Sequence, residues 1–352
     1  MMAGAVQGLL KRIMPQLVIL AAALLLNFIV FPDFFHVDFR NGRLFGNIID
    51  VLNRGAPTAL LCIGMTLVIA TRGIDLSVGA VMAIAGATAA SLVVDGHGWF
   101  TALIGALATG AICGFWNGIL VAVLRIQPIV ATLVLMVAGR GVAQLITEGT
   151  ILTFLNPGLI RLGAGTILGI PTAIVIWICL GAFVAFAVRR TALGMLIESI
   201  GINEASSRLA GINSRVLLVC VYLVSGLCAA LAGVIVAADI KGADANNAGL
   251  WLELDAILAV VIGGNSLLGG RFSIVASLIG ALIIQSVNSV ILLSGMPPEF
   301  NLVIKAILIL GILVIQSPKV SYIWYMLRAS GPQPQPDRKT PRPHRATEEK
   351  TQ

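Results

Sequence analysis

Apolar residues are gathered in long runs along most of this chain, separated by short polar or glycine-bearing segments. A spanning helix needs about 20 mostly apolar residues, fewer where it is broken inside protein. Runs that qualify cover 16–31, 56–70, 76–94, 99–124, 128–146, 166–188, 216–238, 253–264, 272–293 and 301–316. The runs 56–70 and 253–264 are short, as expected where helices break or re-enter beside a pathway. The pattern predicts an all-α polytopic membrane protein of about ten transmembrane helices. Five spans per half would set the halves in inverted topology, although the letters of the two halves show no clear self-similarity. The first run follows Lys11 and Arg12, as a signal peptide would. It leads into Phe31-Pro32-Asp33-Phe34-Phe35 instead of a small-residue cleavage site, so a retained anchor is expected.

Charge orients the spans. With both termini inside, interior segments carry 16 of the 23 Lys and Arg, and exterior segments carry five: Arg40, Arg43, Arg54, Arg161 and Lys241. Arg140 and Lys305 fall within spans. The asymmetry places the termini in the cytoplasm. Residues 1–15 then form a cytoplasmic N-terminus, and 16–316 the membrane domain with a long interior segment at 189–215. Residues 317–352 form a basic, proline-bearing cytoplasmic tail, expected to be disordered from about 329.

Composition removes whole classes of function. Hydrophobic residues make up 58% of the 352 and charged residues 11%, against roughly 45–50% and 25% in soluble domains. A soluble enzyme, a nucleic-acid-binding module and a disordered scaffold are excluded, and lipid must be the main solvent. The five cysteines, at 62, 113, 179, 220 and 228, lie within apolar runs and form no CxxC pair. They read as packing residues, not as disulfides or a zinc site. The histidines, His36, His97 and His344, fall in loops or the tail, so no metal site is expected. The Gly263–Gly270 stretch is followed by Arg-Phe and lacks the Lys-Ser/Thr of a phosphate loop. No catalytic set and no cofactor site are visible in this chain.

Small residues recur every fourth position at Gly110, Gly114 and Gly118, and again at Ser225, Ala229 and Gly233. Each set makes a smooth stripe for close helix packing, or for passage beside a translocation pathway. Gly73-Ile74-Asp75-Leu76-Ser77-Val78-Gly79 joins two apolar runs with a carboxylate and a hydroxyl. Asp75 either caps the next helix or belongs to a break near the pathway or its cytoplasmic gate. Asn117, Arg140, Gln144, Gln285, Asn288 and Lys305 are polar positions inside runs. Such residues face the bundle or a wet cavity because lipid does not solvate them. Asp75, Ser77, Asn117, Arg140, Gln144, Gln285 and Asn288 are the candidate pathway residues. Amides and hydroxyls without an array of acids suit a neutral hydroxylated solute better than a proton or metal ion.

The exterior loop 239–255 is polar, with Asp244, Asn246, Asn247, Trp251, Glu253 and Asp255. Glu253 and Asp255 read first as helix-start acids. The alternative is a docking edge or vestibule for a polar solute. Inside, residues 191–212 are amphipathic and bounded by glycines. They suggest one or two short helices, lying on the membrane surface or docking into a groove of a cytoplasmic partner.

These residues carry a resemblance. The chain resembles the permease subunits of ribose-type ABC sugar importers in the 73–79 motif, in Gly201-Ile202-Asn203 with Ala210-Gly211-Ile212, and in 258–264 through Gly269-Gly270-Arg271. Within that family it is most similar to galactofuranose importer permeases, through 64–70, 137–144 and 242–255. The likeness covers about residues 15–316. It implies a bacterial inner-membrane core of two permeases, homologous or identical, moving a monosaccharide from periplasm to cytoplasm. A cytoplasmic ATP-binding subunit would hold ATP and Mg, and a periplasmic sugar-binding protein would deliver the sugar at Asp244, Asn246, Asn247, Trp251 and Glu253. Residues 194–212 would be the coupling loop, with Gly194, Glu198, Gly201, Asn203, Ala210 and Gly211 facing the ATPase. Bulky residues at Gly201 or Gly211 would then uncouple hydrolysis from uptake while leaving assembly largely intact. One departure is Arg72, where the resemblance leads one to expect glycine. The rival reading is an ion-driven secondary transporter, which needs a buried carboxylate at mid-span; a membrane transferase would need a catalytic set.

Overall fold

The structure is a computed structural model that describes residues 2–40, 42–295, 297, 300, 302–307 and 310. Helix α1 (Met2–Val30) leads through a 3-10 turn (Pro32–Phe35) into a hairpin of β1 (Asp38–Arg40) and β2 (Arg43–Phe45). Helices α2 (Asn47–Arg54), α3 (Ala56–Ala70), α4 (Val78–Val94), α5 (Trp99–Ala122) and α6 (Pro128–Ile146) follow. Next come β3 (Leu152–Thr153), α7 (Pro157–Ala164), a hairpin of β4 (Thr166–Ile167) and β5 (Ile170–Pro171), and α8 (Thr172–Arg190). The short helices α9 (Leu193–Ile202) and α10 (Glu204–Leu209) precede α11 (Ser214–Ile240), β6 (Gly242–Ala243), α12 (Leu252–Ile262) and α13 (Ile274–Leu293).

Nine of the ten apolar runs coincide with helices: α1, α3, α4, α5, α6, α8, α11, α12 and α13. Among the described residues six helices are long and apolar enough to cross a membrane, and the α2–α3 pair, bent by 41°, adds a seventh. The tenth run, 301–316, and the tail from 317 lie outside the described residues apart from 302–307 and 310; residues 302–307 are helical within a unit of their own. The run 166–188 is shorter than expected. Residues 166–171 form the β4–β5 hairpin, because Leu168 (φ 52°) and Gly169 (φ 84°) make a two-residue turn with both φ values positive. Helix α8 starts only at Thr172.

Helix α11 is the central mast. Gly110, Gly114 and Gly118 bring α5 against its backbone: a Cβ at Gly118 would lie 2.8 Å from Val219 Cα, and one at Gly114 would strike the Tyr222 carbonyl. The other face of α11 meets α3 and α4. A Cβ on Gly64 would lie 2.6 Å from Ser225 Cα, and one on Gly233 would strike Met82 O. Both small-residue stripes are therefore helix-packing surfaces, which bring backbones close where hydrophobicity gives helices little reason to associate. Helix α1 joins the other side of the bundle, where Asn27 Nδ2 donates to Ser286 O of α13 (3.1 Å).

Candidate functional site

Three polar constructions lie along this bundle. The first is sealed. Asp75 Oδ1 accepts the Ser77 backbone N–H (3.1 Å) and the Ser77 hydroxyl (2.6 Å), while Oδ2 accepts Ser225 Oγ–H from α11 (2.8 Å). Asn117 of α5 donates to Ser77 Oγ (2.8 Å). All four residues are buried. One expectation is corrected here. Ser77 is the N-cap of α4, so Asp75 bonds the cap residue and not the free N–H groups of the first turn. Asp75, Ser77 and Asn117 face one another, and their mutual hydrogen bonds leave Asn117 Oδ1 unpartnered. Ser225 completes the set; it stood in a small-residue stripe and carried no other signal.

The second construction is open. The loop between α11 and α12 does not project outward. At its outer rim β6 pairs with β3, Leu152 opposite Ala243. It then dips until Gly249 lies on Gly79, where a Cβ on Gly79 would come within 2.5 Å of Gly249 O and of Glu253 Oε2. Gly139 of α6 packs on Ala80, one residue further along α4, and lies seven residues from the outer end of α6. At 1.5 Å per residue the dip reaches roughly 10 Å below that end. The segment is held there by Arg140, whose Nη1 donates to Ala245 O (3.1 Å) and Ala248 O (2.5 Å). Gln144 Nε2 donates to Asn246 Oδ1 (2.8 Å). Asp244 caps the first turn, accepting the N–H groups of Asn246 (3.0 Å) and Asn247 (3.1 Å). Helix α12 thus begins inside the bundle, with Glu253 and Asp255 in its first turn as expected.

That geometry corrects the docking surface. Glu253 is buried against Gly79 and cannot meet a partner outside. Asn246, Asn247 and Trp251 are exposed and Asp244 is half-buried, on a segment that enters the membrane domain. Arg140 does not snorkel to an interface; its guanidinium is the clamp of the re-entrant segment.

The third construction is a pair of cavities. One of about 310 Å³ is lined by Asn53, Arg54, Asp239, Gln285 and Asn288, among others. It brings Gln285 and Asn288 together, Asn288 Nδ2 donating to Gln285 Oε1 (3.4 Å). Another of about 310 Å³ lies at the other end of α11, between Thr71, Arg72, Arg125, Glu204 and Tyr222. Beside it α9, α3 and the α12–α13 turn converge. Ala70 O accepts the Gly270 N–H (2.9 Å), and a Cβ on Gly201 would strike Ala70 O. Arg72 occupies the left-handed region (φ 64°), where glycine is favoured. Its Nη2 donates to Ile202 O (2.7 Å) and its Nε to Leu268 O (2.9 Å), fastening α9 to the α12–α13 turn. Asn265 closes that turn, accepting Ser273 N–H (2.7 Å) and donating to Ser277 Oγ (2.9 Å).

The coupling residues separate into two groups. Asn203, Ala210 and Gly211 are exposed, with Ile202 and Leu209 bare beside them, and Glu198 is half-buried. Gly194 and Gly201 are buried, the first against Val188 O. A bulky residue at Gly201 would therefore break a contact within this chain, so the expectation of largely intact assembly does not extend to that position. Gly211 has open space around it and φ of 86°.

Comparison with known proteins places this geometry. The family model described as branched-chain amino acid transport system / permease component matches residues 47–313. The chain is 60% identical over 306 residues to the galactofuranose transporter permease protein YtfT of Escherichia coli K12, covering 87% of this chain and 90% of that protein. It is 42% identical to the fructose import permease protein FruF of Bifidobacterium longum, over 79% of this chain and 80% of the relative. The ribose import permease protein RbsC of Escherichia coli K12 is 38% identical over 88% of this chain and 94% of its own length. No solved structure matches the chain. With the family model covering α2 through α13 and sugar import permeases aligned along most of its length, the chain belongs to this family of transport-system permease components.

Proposed function

We propose that this chain is one of two permease subunits of an inner-membrane ABC importer that carries galactofuranose, or a closely similar monosaccharide, into the cytoplasm by alternating access. The 60% identity to a galactofuranose permease, extending over 87% of the chain, carries this reading. The site chemistry agrees with it. The exposed amides of Gln144, Asn246 and Asn247 suit the hydroxyls of a neutral sugar ring. A partner ATPase supplies ATP and Mg, and a periplasmic binding protein delivers the sugar to the mouth of the re-entrant segment.

On this reading the ATPase grips the bare tip of α9 and α10 at Ile202, Asn203, Leu209 and Gly211. Arg72 and the Gly201–Ala70–Gly270 contact pass its closure to the α12–α13 turn. Helix α12, 11 residues long, is a rod of about 16 Å. One end is fastened to the coupling helices and the other carries the re-entrant segment, so movement inside is delivered to the passage.

The test is uptake by proteoliposomes holding this chain, its second permease, the ATPase and the loaded binding protein. Uptake of galactofuranose should require ATP and every partner, and should exceed that of ribose or fructose. Uphill transport by this chain alone, or uptake abolished by an uncoupler at constant ATP, would replace the reading with an ion-driven transporter.

A further inference from the structure

Non-helical backbone at membrane depth is tolerated where protein covers it or where it lines water. Residues 244–251 are such a segment, running from the rim at Asp244 to about 10 Å below the outer end of α6, where Gly249 meets Gly79. One flank is polar and bare: Gln144, Asn246 and Asn247 are all exposed. Lipid does not solvate such groups, so this flank meets water. Beside it stands an aromatic residue in a constrained position. Trp251 is 48% exposed, with Leu250 and Leu254 exposed next to it. Its φ of 66° is left-handed, an outlier for a bulky side chain and a conformation that glycine or asparagine adopts more readily. It holds that conformation because both neighbours are fixed, Gly249 on Gly79 and Glu253 buried at the start of α12. Helix packing alone would be served better by a small residue there.

We propose that Trp251 lines the water-filled sugar passage and stacks its indole on the C–H face of the passing monosaccharide. The inference rests on the sugar-importer reading and adds to it the residue that meets the ring. A sugar presents hydroxyls around its rim and C–H groups on a face. The amides of Gln144, Asn246 and Asn247 answer the rim, and the indole π-face, negative at its centre, answers the C–H groups.

Two measurements on the complete transporter test this. In a version lacking the native cysteines, Trp251→Cys is challenged from outside with a charged, water-soluble methanethiosulfonate and with a lipophilic maleimide. The charged reagent should modify the introduced thiol, and saturating loaded binding protein should slow that reaction several-fold. Reaction with the lipophilic reagent only, or with neither, would overturn the assignment. In the second measurement Trp251→Gly, which suits the left-handed backbone, should assemble with unchanged yield and thermal midpoint. Its uptake should fall at least ten-fold while Trp251→Phe keeps most of it; uptake by the glycine variant within two-fold of wild type overturns the proposal. A wild-type transporter that moves no monosaccharide would instead sink the importer reading, and the thiol measurement would still report whether position 251 faces water.

Discussion

The Asp75 cluster and the Arg140 cluster are both polar, both lie within the membrane domain, and both tie a break in the helices to its neighbours. They differ in what is left over. Around Asp75 three hydrogen bonds end on one carboxylate and a fourth ends on Ser77; only Asn117 Oδ1 lacks a partner. Around Arg140 the guanidinium is spent on backbone carbonyls, while Gln144, Asn246 and Asn247 stay exposed beside it. A sealed cluster fixes helices to each other, and an open one offers groups to a solute. Polarity at depth is therefore not by itself a mark of the pathway; exposure decides.

The comparison breaks most readily at Asp75. Asp75→Ala leaves the Ser77 N–H, the Ser77 hydroxyl and the Ser225 hydroxyl without their acceptor, and each buried unsatisfied group costs about 1–3 kcal/mol. A loss of about 3 kcal/mol or more is expected, seen as collapse of purified yield and a lowered thermal midpoint. Asp75→Asn, which still accepts at Oδ1 and can donate to Ser225, should recover most of both. If Asp75→Asn kept full stability yet abolished uptake, the charge would have a transport role and the sealed cluster would join the open one.

A smaller and more local effect is expected at Arg140. Hydrogen bonds to charged groups contribute about 1.5–3 kcal/mol each, and here both act on the re-entrant segment alone. Arg140→Ala should leave the bundle assembled, raise amide exchange over residues 244–252, and reduce uptake at least ten-fold. Arg140→Lys should retain a large part of the activity, since one nitrogen, Nη1, serves both carbonyls. Failure of the lysine variant with normal exchange would mean that the planar guanidinium itself meets the sugar.

How far these sites were legible follows from what each depended on. Apolar run length is local, and it fixed nine helices to within a few residues at most ends. The glycine stripe at 110–118 is local too, and its packing role held. The 166–171 hairpin hid inside an apolar run because a turn with two positive φ values can place a leucine at its tip, with no polar letter to betray it. Depth is a different kind of quantity. Residues 244–253 have the composition of an outer loop, and only the meeting of Gly249 with Gly79, 170 positions apart, carries them inward. Both glycines stood in stretches that the sequence marked as unusual, but nothing in either stretch pointed to the other. Ser225 was hidden for the same reason, its partner Asp75 lying 150 residues away.

The smallest expected effect concerns the rim of the open segment and sets how far the comparison holds on acidification. Asp244 Oδ2 accepts the Asn247 amide (2.8 Å), and its Oδ1 accepts two backbone N–H groups. These hydrogen bonds, the Asn247 side chain foremost, hold the Asp244 carboxyl below its ordinary range, with the Arg140 charge adding to them. A depressed carboxylate contributes order to the fold that is complete above the unfolded value, about 3.9, and is lost as pH falls through the lower folded value. The loop should therefore hold unchanged from pH 7 to pH 5 and loosen only below about 4. Solvent screens this half-buried group at the rim, so the effect is confined to the loop and leaves the bundle intact. A variant retaining Trp251 as its single tryptophan reports it: emission should stay constant to pH 5 and shift below about 4, while Asp244→Ala should show the shifted emission already at pH 7. A transition between pH 5 and 7 would assign control of the loop to another group and remove Asp244 as the anchor of the open segment.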